Sequence, residues 1–290
     1  MTLTVTPLHP LFAAEVTGLD LRRPLDAAGR AEIVALIERY GVLAFRQPAP
    51  LSDEDHIAFG RQFGPLQQMK MLTMLGGQKR RVRYPELVDV GNLDEDGRIM
   101  AADDRRRAFN RGNELWHTDV SFDANRATYS FLAAHAVPPA GADTEFADMR
   151  VAYETLSEAM RQRIDGLAAE HSIWYSRALG GLADVSEAEK ATRPPAHHPL
   201  VHARPGSARK SLYIASHASH IVGWPAADGR ALLDELTRHA TQPPCVYSHK
   251  WRVGDLVMWD NLATMHRGTR FEDTVHPRDM RRVTCLERAA

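Results

Sequence analysis

The chain has 290 residues, of which 25% are charged and 44% hydrophobic, and a formal net charge of −1. That length is enough for a substantial core, the near-neutral balance gives no electrostatic footprint for nucleic acid, and no apolar run approaches the roughly 20 residues of a membrane span. The two cysteines, Cys245 and Cys285, make no disulfide framework and read as small buried hydrophobes in a reducing compartment; with no basic-then-apolar opening segment, a cytoplasmic location is expected.

Residues 27–40 have helical periodicity and run into a strand at 41–46. Ser52 reads as a helix N-cap with Asp55 three residues on, and Gly64 as the stop. Residues 66–113 are the least regular. Within them, 66–77 carries Met69, Lys70, Met71, Met74 and the pair Gly76-Gly77. That composition fits either a solvated loop or a pliable lid hinged at the glycines. Residues 129–136 are strand-like, and 150–169 read as one or two helices. The stretch 177–210, with Pro194-Pro195 and Gly206, predicts an exposed excursion. A strand at 211–215 and an amphipathic helix at 226–240 follow, and the remainder is mostly strand and turn. A mainly β chain with inserted helices suggests a jelly-roll barrel with helical decoration, in one domain spanning 1–290.

The chemistry concentrates in Trp116-His117-Thr118-Asp119. With fourteen histidines, about one His-x-Asp is expected by chance, so the pair alone carries little. In a strand, however, residues two apart face the same side. A distal histidine would then complete a set of two nitrogens and one oxygen. That is the facial set which leaves positions open on a non-haem Fe(II). The segment 254–268 reads as a turn, a buried apolar strand and a second turn leading to His266. Arg278 lies beyond, ahead of the strand-like run from Arg281 to Leu286. An arginine there can grip a carboxylate with its planar fork. This order suits an oxygenase that uses Fe(II) and 2-oxoglutarate: His117, Asp119 and His266 as metal ligands, then Arg278 as a clamp for the co-substrate.

Longer blocks resemble the taurine dioxygenase / 2,4-dichlorophenoxyacetate dioxygenase family, closest to its phenoxyacetate branch. They include the runs 7–16, 42–46 and 63–66, the run 114–122 around His117, the run 141–150, the stretch 216–220 and the segment around His266. The likeness covers nearly the whole chain. One departure is Gly141-Ala142-Asp143-Thr144, where the family commonly has Gly-Gly-Asp-Thr.

The resemblance implies a double-stranded β-helix core, Fe(II) as the metal cofactor, and 2-oxoglutarate and O₂ as co-substrates. It gives Thr144 a hydroxyl donated to the co-substrate carboxylate beside Arg278. Arg282, four residues beyond Arg278, becomes an anion partner for co-substrate or substrate. Val120 and Phe122 become candidates for the substrate wall, and Lys70 or Arg282 the cation for an anionic small-molecule substrate. His217 and His220 are expected to be structural or to orient ligands. The implied reaction hydroxylates the carbon beside the ether oxygen of an aryloxyalkanoate such as 2,4-dichlorophenoxyacetate. An alkylsulfonate such as taurine is the alternative substrate, and a zinc hydrolase or metal-binding β-barrel the alternative class. No nucleic-acid or membrane partner is expected, and a homo-oligomer is allowed.

Overall fold

A computed structural model describes residues 3–68, 81–204 and 207–287. The strands in chain order are β1 (Thr4–Pro7), β2 (Ala14–Thr17), β3 (Val42–Arg46), β4 (Val88–Asp89), β5 (Ala127–Ala136), β6 (Thr144–Asp148), β7 (Ala168–His171) and β8 (Ala196–Pro199). They continue as β9 (Val201–Ala203), β10 (Lys210–Leu212), β11 (Ala218–Ile221), β12 (Val246–His249), β13 (Asp255–Asp260), β14 (Thr264–Gly268) and β15 (Asp279–Leu286). A seven-stranded sheet has the order β1-β2-β3-β13-β5-β15-β4, parallel at β2-β3 and antiparallel elsewhere. A three-stranded sheet, β12-β6-β14, carries His266. Smaller sheets, β11-β7-β8 and β10-β9, complete the β structure of the described residues.

The central strands explain why no simple alternation marks them. β13 is buried along its whole length. Its Leu256 and Met258 pack with Ile33, Ile37 and Phe59 of the helices on one face. Val257 and Trp259 pack with Leu132 and Phe146 on the other. A strand buried on both faces reads as a continuous apolar run. A third cluster lies under the helix Ala226–Ala240, through Leu232, Leu233 and Leu236.

The helix Ala27–Tyr40 starts at Asp26, whose side chain accepts the Gly29 N–H at 2.7 Å. It ends at Gly41, with φ of +70° and its N–H donated to Ile37 O at 2.8 Å. This left-handed cap needs glycine, so Gly41 belongs to the cap and the predicted strand begins at Val42. The next helix, Asp53–Arg61, has the expected Ser52 cap but stops before Gly64. Residues 149–164 form two helices, Met149–Glu154 and Glu158–Ile164, ahead of β7. The predicted strand at 211–215 is shorter: pairing with β9 ends at Leu212.

The excursion at 177–210 is only partly exposed. It returns as β8 and β9, and it buries Leu182, His198 and Leu200. Lys70 and the Gly76-Gly77 hinge lie outside the described residues. Among the described residues no helix is long and apolar enough to cross a membrane.

Candidate metal centre

β14 brings His266 directly opposite His117. The His117 N–H donates to His266 O at 2.9 Å, and the His266 N–H donates to His117 O at 2.7 Å. Such a hydrogen-bonded antiparallel pair projects both side chains to one face, and the imidazole centroids are 4.2 Å apart. Asp119 joins them by a different route from the strand alternation expected of His-x-Asp. His117 makes only an isolated bridge, and the chain turns from Asp119 onwards. Val120 sits at φ +57°, an unusual conformation for a β-branched residue of the kind stored at functional sites. Ligand atoms of His117, Asp119 and His266 all lie within 4.8 Å of one another, and all three residues are buried.

Burial drives His117 down to about 4, against the opposing pull of Asp119 and the Leu115 carbonyl. Burial, reinforced by His117, holds His266 well below its ordinary value. Asp119 is pushed up by burial, but Arg282, the two histidines and the Ser130 hydroxyl outweigh this and hold it below the usual carboxylate range. Near pH 7 the site therefore offers two neutral imidazoles and one carboxylate, the protonation states that metal ligation requires. His117 Nδ1 lies 2.8 Å from Leu115 O, which directs its N–H there and leaves Nε2 for a metal. His266 Nε2 is 3.8 Å from Asp119 Oδ1, and its ring is flanked by Trp259 at 4.7 Å and Phe146 at 6.0 Å. The donor set fits Fe(II).

A polar clamp that the sequence did not announce supports Asp119. The Asn261 side-chain oxygen accepts from the Asp119 N–H and the Trp259 indole, while the Thr118 hydroxyl donates to the Asn261 backbone carbonyl at 2.7 Å. Asn261 Nδ2 donates to Ser130 Oγ at 3.0 Å, and Ser130 Oγ donates to Asp119 Oδ2 at 2.6 Å. Asn261 follows an apolar run in sequence and looks like an ordinary turn residue. His217 lies edge-on to His117, with centroids 6.0 Å apart, and bonds Ser121 Oγ at 2.9 Å. His220 is away from the centre, near Glu170.

A cavity of about 430 Å³ opens beside the triad, lined by His117, His266, Thr144, Arg278 and Arg282 among others. Burial lowers Arg278 to about 10, and no carboxylate pairs with it among the described residues. Its Nη1 donates to Val90 O at 2.6 Å, and Asn92 Oδ1 accepts its backbone N–H at 2.7 Å. Trp251 Nε1–H donates to Thr144 Oγ1 at 3.0 Å, so the threonine's own proton is free to donate elsewhere. Arg282 is committed differently: its Nη1 donates to Asp119 Oδ1. Val120 and Phe122 line a narrower side chamber together with Asp119, His117 and Arg177. Arg177 was not singled out in the sequence, where it falls at the start of the supposed exposed stretch. In the fold it is 7% exposed.

The family model "Taurine catabolism dioxygenase TauD, TfdA family" matches residues 4–284. The chain is 46% identical over 289 residues to the alpha-ketoglutarate-dependent 2,4-dichlorophenoxyacetate dioxygenase of Cupriavidus pinatubonensis, covering 100% of this chain and 99% of that protein. Its identity to the enzyme of the same name from Burkholderia sp. is 43%, covering 99% and 96%. The crystal structure of AAD-2 in complex with Mn(II) and N-oxalylglycine superposes with a TM-score of 0.95 at 42% identity, covering 99% of each chain. The chain belongs to the TauD/TfdA family and is an Fe(II)- and 2-oxoglutarate-dependent dioxygenase.

Proposed function

We propose that the enzyme hydroxylates the carbon beside the ether oxygen of an aryloxyalkanoate such as 2,4-dichlorophenoxyacetate. The observation that carries this substrate class is the 46% identity, over the full chain, to a dioxygenase named for that compound. His117, Asp119 and His266 hold the iron. Bound Fe(II) supplies the activation of O₂, coupled to decarboxylation of 2-oxoglutarate to succinate and CO₂. Arg278 pairs with the distal carboxylate of 2-oxoglutarate, and the Thr144 hydroxyl donates to the same group. This arm has no purpose in a zinc hydrolase.

Arg282, held by Asp119, fixes the ligand carboxylate and adds positive potential to the cavity. Val120 and Phe122 form part of the substrate wall. Once hydroxylated, the reacting carbon bears both a hydroxyl and an aryloxy oxygen. The carbon–aryloxy bond then breaks, the hydroxyl proton passes to the phenolate, and a phenol and an oxo-acid leave. Residues 1–290 act as one domain, a reading supported by the family match from 4 to 284. The seven- and three-stranded sheets, with Phe146 and Trp259 packed together, support a double-stranded β-helix core. Two buried free thiols suit a cytoplasmic setting.

The test compares kcat/KM for phenoxyacetate, 2,4-dichlorophenoxyacetate and taurine at saturating 2-oxoglutarate. Phenol release from the ethers is expected to dominate. Sulfite from taurine without phenol from either ether would overturn the aryloxy reading.

A further inference from the structure

Residues 269–278 join β14 to β15 and deliver Arg278 at their end. They belong to neither helix nor strand, so no ladder of hydrogen bonds sets where that guanidinium sits. One buried side chain does. Asn92, 6% exposed, donates to this loop through its amide: Nδ2 reaches Asp273 O at 2.7 Å and His276 O at 2.9 Å. Its Oδ1 accepts the Arg278 N–H at 2.7 Å. The orientation of the amide follows from its partners, since the two carbonyls need donors and the N–H needs an acceptor. The Asn92 side chain thus ties together both ends of residues 273–278.

The backbone beside Asn92 adds to the grip. The Asn92 N–H donates to Arg278 O at 3.2 Å, and the Val90 N–H to Met280 O at 2.9 Å. Arg278 Nη1 donates in turn to Val90 O at 2.6 Å. Gly91 lets the two segments touch: a Cβ there would fall 2.3 Å from Arg278 O. Ion pairs also hold this loop, Arg107 with Asp273 at 2.7 Å and Arg270 with Glu114 at 2.9 Å. The Asp273 side chain is 47% exposed and that of Arg270 is 90% exposed, and ion pairs so open to solvent contribute little. The hydrogen bonds of Asn92 are the stronger hold, because water does not replace them once the amide is buried.

We propose that Asn92 is a positioning residue for the co-substrate: it fixes the Arg278 guanidinium at the distance from the metal ligands that fits 2-oxoglutarate rather than its homologue longer by one methylene. The inference rests on the reading of Arg278 as the clamp for the distal carboxylate. His117 and His266 are held together by their paired backbones, so one end of the span is fixed. Asn92 fixes the other. It touches neither co-substrate nor metal ligand, and a guanidinium displaced by about 1 Å loses the alignment that its fork needs.

The test is an anaerobic calorimetric titration of the Fe(II)-loaded enzyme with 2-oxoglutarate and with 2-oxoadipate, run as a double-mutant cycle. Asn92→Ala should weaken 2-oxoglutarate binding by about tenfold, the scale of a lost hydrogen bond, and leave Fe(II) affinity unchanged. The preference for 2-oxoglutarate over 2-oxoadipate should narrow, because a loosened clamp accepts either length. In the Arg278→Gln background, adding Asn92→Ala should change 2-oxoglutarate affinity by less than about twofold, since the group it positions has gone. Should Asn92→Ala fail to fold, Asn92→Gln decides by the same cycle: it keeps the amide but moves it by one methylene. Equal weakening in both backgrounds, an unchanged ratio between the two acids, or a parallel loss of Fe(II) binding overturns the inference and leaves Asn92 a structural residue. Arg278→Gln without effect on 2-oxoglutarate binding would sink the clamp reading itself. A strong Arg278→Gln effect with none from Asn92 sinks only the positioning role.

Discussion

The side-chain oxygen of Asn261 accepts the backbone N–H of Asp119 at 3.1 Å. Through Ser130, the same side chain also reaches the Asp119 carboxylate. One amide thus fixes both the backbone and the head group of a ligand residue. Asn261→Ala is expected to weaken Fe(II) binding by about 10–100-fold, the usual effect of losing such support. It should also destabilise the fold, because the Trp259 and Asp119 N–H groups lose their acceptor, at about 1–3 kcal/mol for each buried group. Anaerobic Fe(II) titration of the folded fraction reads the first effect, and unchanged affinity would show that Asp119 is held without the clamp.

Arg278→Gln should raise the apparent KM for 2-oxoglutarate by at least about tenfold, equivalent to a charge-assisted bidentate pair of about 1.5–3 kcal/mol. The KM for the aryloxy substrate should change little. Thr144→Val should give a smaller shift in the same direction, since it removes one neutral donor and the acceptor of the Trp251 indole. Steady-state kinetics with each reactant varied in turn separates these cases. An unchanged 2-oxoglutarate KM in Arg278→Gln would remove it from the co-substrate site.

Stability should fall as the medium is acidified from pH 7 to pH 5. His56 and His171 are fully buried, and burial lowers each to about 3. In the unfolded chain they titrate near about 6.5. Between these values the unfolded state binds more protons, so unfolding becomes easier as pH drops, by up to about 1.4 kcal/mol per pH unit for each group. The contribution is fully present above about pH 6.5 and declines down to about 3. Asp279, held down at about 2 by Arg81 and Arg281 against burial, loses its contribution only below its ordinary value near about 4. Urea unfolding at the two pH values measures the slope, and His56→Gln should flatten it. An equal slope in that variant would mean His56 is not buried neutral.

Ala142 adopts φ +58°, in the left-handed region, and its side chain is buried. In a regular element an Ala→Gly change costs roughly 0.5–1 kcal/mol. At Ala142 the relief of left-handed strain, about 1–2 kcal/mol, offsets that cost and the lost methyl burial. Ala142→Gly is therefore expected to be neutral or stabilising in thermal melts, and a loss above about 1 kcal/mol would refute the strain argument.

Much of the centre could be read from residue type and order. His117, Asp119 and His266 come together, and Thr144 and Arg278 line the cavity beside them, as their residue types and order in the chain suggested. The apolar run of β13 was also visible, bounded by the turn at Gly254 and the polar pair Asp260-Asn261. Arg177 and Asn261 were not visible, because an arginine in a short helix and an asparagine in a turn are ordinary until the fold removes their water. Asp119 reaches the centre through a turn and not by strand alternation, for a related reason. Val120 bends the chain, and no propensity favours a β-branched residue there. The strand predicted at 211–215 pairs with β9 only to Leu212, with one further bond from Tyr213 N–H to Leu200 O at 2.7 Å, and Ile214 and Ala215 are buried by packing.

The pairing of His117 with His266 has a kinetic meaning. Their backbones exchange two hydrogen bonds across a long loop of chain, and closing such a loop precedes any reward from the contact. The metal-binding pocket therefore does not exist in a partly collapsed chain. Iron has nothing to hold until the β14 strand has docked against the segment around His117. Metal binding then selects the finished fold, adding stability as RT ln(1 + [Fe]/Kd), and the rate of metal uptake during refolding reports on the completion of the topology.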